Sequence, residues 1–296
     1  MSELSRAANT WDTIDIDRVR QVAWLSLEQV ATDLDDSFAP DSTSTAFVGD
    51  LLSERFPGES LIGAALVCGD MAGERMYFEN LPTAEFTHVD GYDISRVSLE
   101  RYTPDGLTFE PHVVDCNRLD LPADRYHLIV ALHGAHHVFN LGNFFYQANK
   151  ALKPNGLLYM YEWIGPEYLQ IPRTNHAVAS ALVLSLFRRS ERTTHMGEVK
   201  GRWLQSDPSS FDPSEACNSR ELYPQFQKYF RTIRAHEHGA LMYPIFEGIA
   251  QNLDQGDPWT RARIERILRI ERRLTRLKVI DPLFVSAVGE RRPGIF

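Results

Sequence analysis

The feature that most constrains the fold is an alternation that starts near residue 61. Short apolar runs at 64–68, 86–92, 107–114, 127–132 and 157–161 alternate with polar, helix-compatible stretches at 74–80, 95–102 and 141–152. The runs read as apolar on both sides, as strands buried on two faces must be. The stretch at 141–152 runs into Lys153-Pro-Asn-Gly156, a helix stop followed by a tight turn. Strand, helix, strand, helix predicts an α/β fold with a doubly wound parallel sheet.

The flanks read differently. Residues 1–45 are expected to form an N-terminal helical flap. Their amphipathic stretch, Ile14 to Val30, spaces Val19, Val22, Leu25 and Leu27 at helical intervals, and the polar Asp41–Thr45 follows. Residues 46–296 form the second unit, with its core at 60–165 and additions at 166–296 that cover the substrate. Within those additions a helix is expected over 174–187, a helix opening at Asp212-Pro-Ser-Glu215 and a strand within 229–242. An Arg-rich helix follows on the stripe Ile264, Ile267, Leu268, Leu274 and Leu277, with Glu265 and Glu271 paired along its solvated face, before a closing strand at 283–288.

Composition removes several function classes. The formal net charge of −9 argues against a nucleic-acid partner, which needs a positive face. Cys68, Cys116 and Cys217 are too widely spaced for a disulfide framework or a CxxC metal knuckle. No apolar run approaches the ~18 residues of a membrane span, and the polar, acidic start lacks a signal core. The expectation is a soluble cytoplasmic protein without a membrane partner, and a homodimer is the assembly left open.

In an open α/β sheet, ligands bind beyond the carboxyl ends of the strands. After the first strand comes Val67-Cys-Gly-Asp-Met-Ala-Gly-Glu74, where a glycine lets the backbone approach a ligand. After the second, Asp93 is placed to accept both ribose hydroxyls; the competing reading is a helix cap. After the third, Asp115 is placed to accept an adenine amino group, or to hold its own loop as an Asx-turn. Beyond the fourth strand lie His133, His136 and His137, and the fifth ends at Glu162-Trp163. The histidines sit on a loop with no carboxylate or cysteine beside them, which disfavours a metal site. A general base at His136 or His137 and a purely structural bond to the loop are both open. Glu162 could act as base, orient an amine or pair with an arginine. His236 and His238 share one strand face and read as structural.

Taken in order, this glycine loop, the acid after strand two, the Asp after strand three and the Leu152-Lys-Pro-Asn-Gly156 turn resemble the class I S-adenosylmethionine-dependent methyltransferases over residues 60–165. The resemblance implies a Rossmann-like methyltransferase sheet, S-adenosylmethionine as cofactor and a small-molecule acceptor. It further implies that Cys68, Gly69, Asp70, Asp93, Ile94, Asp115, Cys116, Asn117 and Leu132 hold the cofactor, with His136, His137 and Glu162 catalytic. His133, Trp163, Tyr168 and Tyr243 are the candidate acceptor contacts, although residues such as Trp163, Tyr168 and Tyr243 are more often core than pocket, and no metal is expected. The family's G-x-G-x-G falls on Val67, Gly69 and Met71 when aligned on Glu74, or on Gly69, Met71 and Gly73 by spacing. The segments at Glu162, Asp212 and Gly239 look like one subgroup, met in glycan and secondary-metabolite pathways and similar in layout to bacterial methionine S-methyltransferases. Three functions therefore compete: methylation of a sugar hydroxyl or metabolite, methionine S-methylation, and non-catalytic nucleotide binding. A dehydrogenase is disfavoured by the missing G-x-G-x-x-G. All three require Asp93 and Asp115 to share one rim of the sheet.

Overall fold

The computed structural model describes residues 23–101, 107–194, 197–201 and 212–294. Seven strands form one sheet: β1 (Leu61–Leu66), β2 (Phe86–Asp93), β3 (Phe109–Val113), β4 (Tyr126–Leu132), β5 (Leu152–Trp163), β6 (Phe230–His238) and β7 (Phe284–Arg291), in the order β3-β2-β1-β4-β5-β7-β6. Strands β1 to β5 run parallel, whereas β7 enters antiparallel between β5 and β6. The order reverses between β1 and β4, so the loops that follow these two strands flank the crevice.

Helices cover both faces. On one, α1 (Glu28–Phe38), α2 (Ser44–Arg55) and α3 (Ala72–Glu79) bury Phe38, Val48, Leu52 and Phe78 against Leu128, Val130 and Tyr159. On the other, α5 (Leu141–Ala151) and α7 (Ser219–Tyr229) bury Phe144, Phe145, Leu222 and Phe226 over Ile129 and Met160, while the short α4 (Arg96–Glu100) follows β2. Each such side chain contributes roughly 1.5–3 kcal/mol of transfer free energy. A third core gathers Trp24, Trp163, Phe187, Phe246, Ile264 and Leu283 under α6 (Arg173–Leu186), α8 (Met242–Phe246) and α9 (Pro258–Arg276). The described part of the N-terminal region joins this body: Val30 and Leu34 of α1 lie in the third core, and the Trp24 N–H donates to Glu247 Oε2 at 3.1 Å. Val19 and Val22 lie outside the described residues. Among the described residues, no helix is long and apolar enough to cross a membrane.

Several expectations are corrected. No helix opens at Asp212; α7 starts at Ser219, because Asp212 Oδ1 accepts from the Ser214 N–H at 2.9 Å and closes a turn instead. Glu271 is not a surface partner on α9. It is buried, and its carboxylate accepts from the N–H groups of Gly239, Leu241 and Met242 at 2.8, 2.7 and 2.7 Å, satisfying donors at the start of α8. Strand β5 begins at Leu152, ahead of the Pro-Asn-Gly turn; Leu152 pairs with Tyr126 before the register resumes at Leu157 and Leu128.

Candidate active site

The loop after β1 settles its own alignment. Val67, Gly69 and Met71 all have left-handed φ, at 54°, 52° and 61°. This region favours glycine, and each other residue there costs roughly 1–2 kcal/mol. Three alternate positions thus ask for glycine, and the chain supplies it at one. The side chains that replace glycine pack within the protein: Met71 is fully buried among Phe78, Leu128 and its neighbours, and Val67 lies against Gly134. At Gly69 a side chain would meet nothing within 4 Å, so the backbone there is open to a ligand.

Asp93 ends β2 and is 6% exposed. Its Oδ2 accepts from the Gly69 N–H at 2.8 Å and its Oδ1 from the Ser95 N–H at 2.8 Å. Burial pushes this carboxyl up, and the two N–H donors hold it down. The cap of α4 is Ser95, whose hydroxyl accepts from the Ser98 N–H at 3.0 Å. Asp93 pairs across the sheet with Val113, so Asp115 stands on the neighbouring strand's loop at the same rim. Asp115 Oδ1 accepts from the Asn117 N–H and Nδ2, both at 2.9 Å. Asn117 Oδ1 in turn accepts from the N–H groups of Phe139 and Asn140, at 2.8 and 3.0 Å, and ties this loop to the start of α5. Cys68 and Cys116 are buried with their sulfurs 3.7 and 3.8 Å from the Tyr92 carbonyl. Ile94 and Leu132 are half-buried at the same strand ends, and Asp70 Oδ1 accepts from the Ala72 N–H at 3.2 Å. Glu74, missed as a site residue, is buried in the first turn of α3; desolvation, with Asp70, Asp93 and Glu162 nearby, raises its carboxyl to about 8.

The rim after β4 and β5 is a second polar cluster. Glu162 is fully buried; its Oε1 accepts from the N–H groups of Gly134 and Ala135 at 2.9 and 2.7 Å, and its Oε2 from His136 Nδ1 at 2.8 Å. His136 Nε2 lies 3.4 Å from Glu215 Oε1. His137 Nδ1 is 3.1 Å from Ser214 Oγ, which donates to Asp212 Oδ1 at 2.5 Å. Burial lowers His136, but its bonds to Glu162 and Glu215 outweigh that and bring it to about 10. Desolvation raises Glu215, yet His137 and His136 hold it at about 2.

The carboxylates that sequence reasoning found missing beside the histidines are thus supplied in space. Glu215 and Asp212 come from a segment some 77 residues along the chain. Their signal was the Asp212-Pro-Ser-Glu-Ala216 motif. The two rims touch: a Cβ on Gly134 would lie 2.2 Å from the Val67 carbonyl oxygen, so only glycine fits.

The expected acceptor contacts divide. Trp163 is core: it is 1% exposed, and its Nε1 donates to the Pro166 carbonyl at 3.0 Å. Tyr243 packs edge-on to Trp163 at 5.3 Å. His133 has left-handed φ, lies 4.5 Å from the Tyr161 ring and is exposed. The Tyr168 N–H donates to the Ala216 carbonyl at 3.2 Å, next to Glu215. In the same aromatic group the Tyr161 hydroxyl and His238 Nδ1 are buried without partners. His236 and His238 stack at 5.3 Å.

Residues 72–170 match the family model described as a methyltransferase domain. Those residues form a methyltransferase domain, set on the Rossmann-like sheet described above. S-adenosylmethionine is the cofactor of this family, and the open Gly69 backbone beside the buried Asp93 carboxylate fits it. Among solved structures, the cyclopropane synthase MmaA2 from Mycobacterium tuberculosis shares the fold at 14% identity, over 97% of this chain and 98% of that one, with a TM-score of 0.52. The geranyl diphosphate C-methyltransferase from Streptomyces coelicolor is similar at 10% identity, 99% and 98% coverage and a TM-score of 0.49. An S-adenosylmethionine-dependent methyltransferase from Mesorhizobium loti is similar at 18% identity, 82% and 96% coverage and a TM-score of 0.45. No curated protein sequence matches the methyltransferase chain.

Proposed function

We propose that the chain methylates a hydroxyl or amino group of a small polar acceptor held at the His136–His137–Glu162–Glu215 cluster. The observation that supports this reading is the contact between the rims at Val67 and Gly134, which packs the loop that carries Gly69 against the loop bonded to Glu162. Asp93 would hold the ribose, Asp115 the adenine edge with Cys116 and Asn117 shaping its loop, and Gly69 with Cys68 and Asp70 the methionyl part. Ile94 and Leu132 would flank the adenosine.

Bound S-adenosylmethionine supplies a methyl group made electrophilic by its sulfonium. The protein's work is then to align the acceptor atom and exclude water. An acceptor with O–H or N–H groups donates to the cluster's carboxylates and must lose a proton; His136, held at about 10, already carries one, and His137, which burial lowers, is the imidazole suited to receive it. A thioether acceptor such as methionine has a ready lone pair and leaves this cluster without a task, which is why it ranks second.

Calorimetry with S-adenosylmethionine, followed by a mass-shift screen of sugars, amines and amino acids including methionine, tests the reading. A one-methyl mass gain on a hydroxyl or amine supports it. Gain on methionine alone transfers the assignment to sulfur, and absence of cofactor binding ends the catalytic reading.

A further inference from the structure

The acceptor cluster has a geometry that proton handling does not require. His136 Nε2 is 3.4 Å from Glu215 Oε1, and His137 Nε2 is 3.9 Å from Glu215 Oε2. One ligand atom from each of the three residues can be chosen so that all lie within 4.8 Å of one another. Ligand atoms bound to a single tetrahedral ion at ~2.1 Å stand about 3.4 Å apart. Each imidazole also has its other nitrogen anchored: His136 Nδ1 on Glu162 at 2.8 Å, and His137 Nδ1 on Ser214 at 3.1 Å, with Asp212 behind it. A carboxylate or hydroxyl that fixes the far nitrogen is the usual support of a metal-binding histidine. Glu162 and Asp212 are at most 1% exposed, so three acids face two imidazoles in a buried space that favours a cation. The grouping of His88, Asp90 and Glu110 lacks these properties, because Asp90 is committed to Arg125 at 2.9 Å and Tyr126 at 2.6 Å.

We infer that His136 Nε2, His137 Nε2 and the Glu215 carboxylate bind a divalent transition-metal ion of the zinc class. Two imidazoles and one carboxylate suit Zn2+ and its neighbours, and three protein ligands leave a coordination position open. The open position would take the acceptor's oxygen or nitrogen, whose proton would then leave to solvent rather than to a ligated imidazole; that part rests on the methyl-transfer reading, whereas the ion site does not.

The test uses the whole chain stripped with a chelator. Zn2+ is titrated in competition with a chromophoric chelator, and Co2+ is followed by its visible absorption. The expected result is one equivalent bound, with affinity lower by ~100-fold or more in His137→Ala and in Glu215→Ala. X-ray absorption on the zinc-loaded wild type should show two imidazoles, a readout that does not depend on a variant folding. Lack of stoichiometric binding, fewer than two imidazoles, or full affinity in both variants overturns the site. Calorimetry with S-adenosylmethionine separates the two ideas: a chain that binds the cofactor but no Zn2+ loses the metal site alone, and one that binds Zn2+ but no cofactor keeps it.

Discussion

The two rims of the crevice are built by opposite means. On the β1–β2–β3 side, Gly69, Asp93 and Asp115 each stand at or just past a strand end. On the β4–β5 side, Glu162 and the histidines meet Asp212 and Glu215, which arrive from far along the chain. The first rim is a property of the sheet. The second is a property of how an added segment is laid over the sheet, so the same scaffold can carry different acceptors.

Four experiments would break or sharpen this contrast. The largest effect belongs to Glu74, which lies near the acids of both rims. Its folded carboxyl is raised to about 8 from 4.5, so its contribution to stability is full below pH 4.5 and is lost as pH rises through 8. At ~1.4 kcal/mol per unit, the full loss is on the order of 5 kcal/mol. Chemical denaturation at pH 5 and pH 8 should show Glu74→Gln free of that loss; identical pH profiles would end the link between Glu74 and the acids of the two rims.

Next comes Asp93→Ala, which should weaken S-adenosylmethionine by about 3 kcal/mol, over a hundredfold, since it removes charged hydrogen bonds and orphans the Gly69 N–H. Calorimetry decides, and unchanged affinity would break the first rim's assignment. His137→Ala should lower kcat by ~100-fold while cofactor affinity stays within about threefold. If both fall together, the rims are not functionally separate. The smallest effect is expected from Gly134→Ala. Its Cβ would meet the Val67 carbonyl oxygen at 2.2 Å, costing about 2 kcal/mol of stability, read as a lower Tm and losses in both binding and turnover.

The contrast also explains what could be read from the sequence. Parallel strands buried on both faces announce themselves as apolar runs, and an acid at a strand end is placed by the strand, so β1 to β5, Asp93 and Asp115 were legible. Backbone angles are not written in side-chain identity: nothing in Val67 or Met71 says that each adopts the left-handed φ of a glycine. Glu271 looked like a surface acid because its helical neighbours are arginines, yet the donors it serves sit about 30 residues upstream. Glu215 was inside a motif that could be noticed but not aimed, because its target histidines are fixed by tertiary packing alone. The antiparallel entry of β7 between β5 and β6 likewise depends on pairings that no local pattern encodes.

Glu162 is bound by two main-chain donors as well as by His136, which makes it a fixed post. Ser214 and Glu215, by contrast, ride on a turn between 212 and 218 and touch the histidines from outside. Exchange of that short cassette alone would redraw what the post can hold, and a re-engineered acceptor preference is best sought there, with the sheet left untouched.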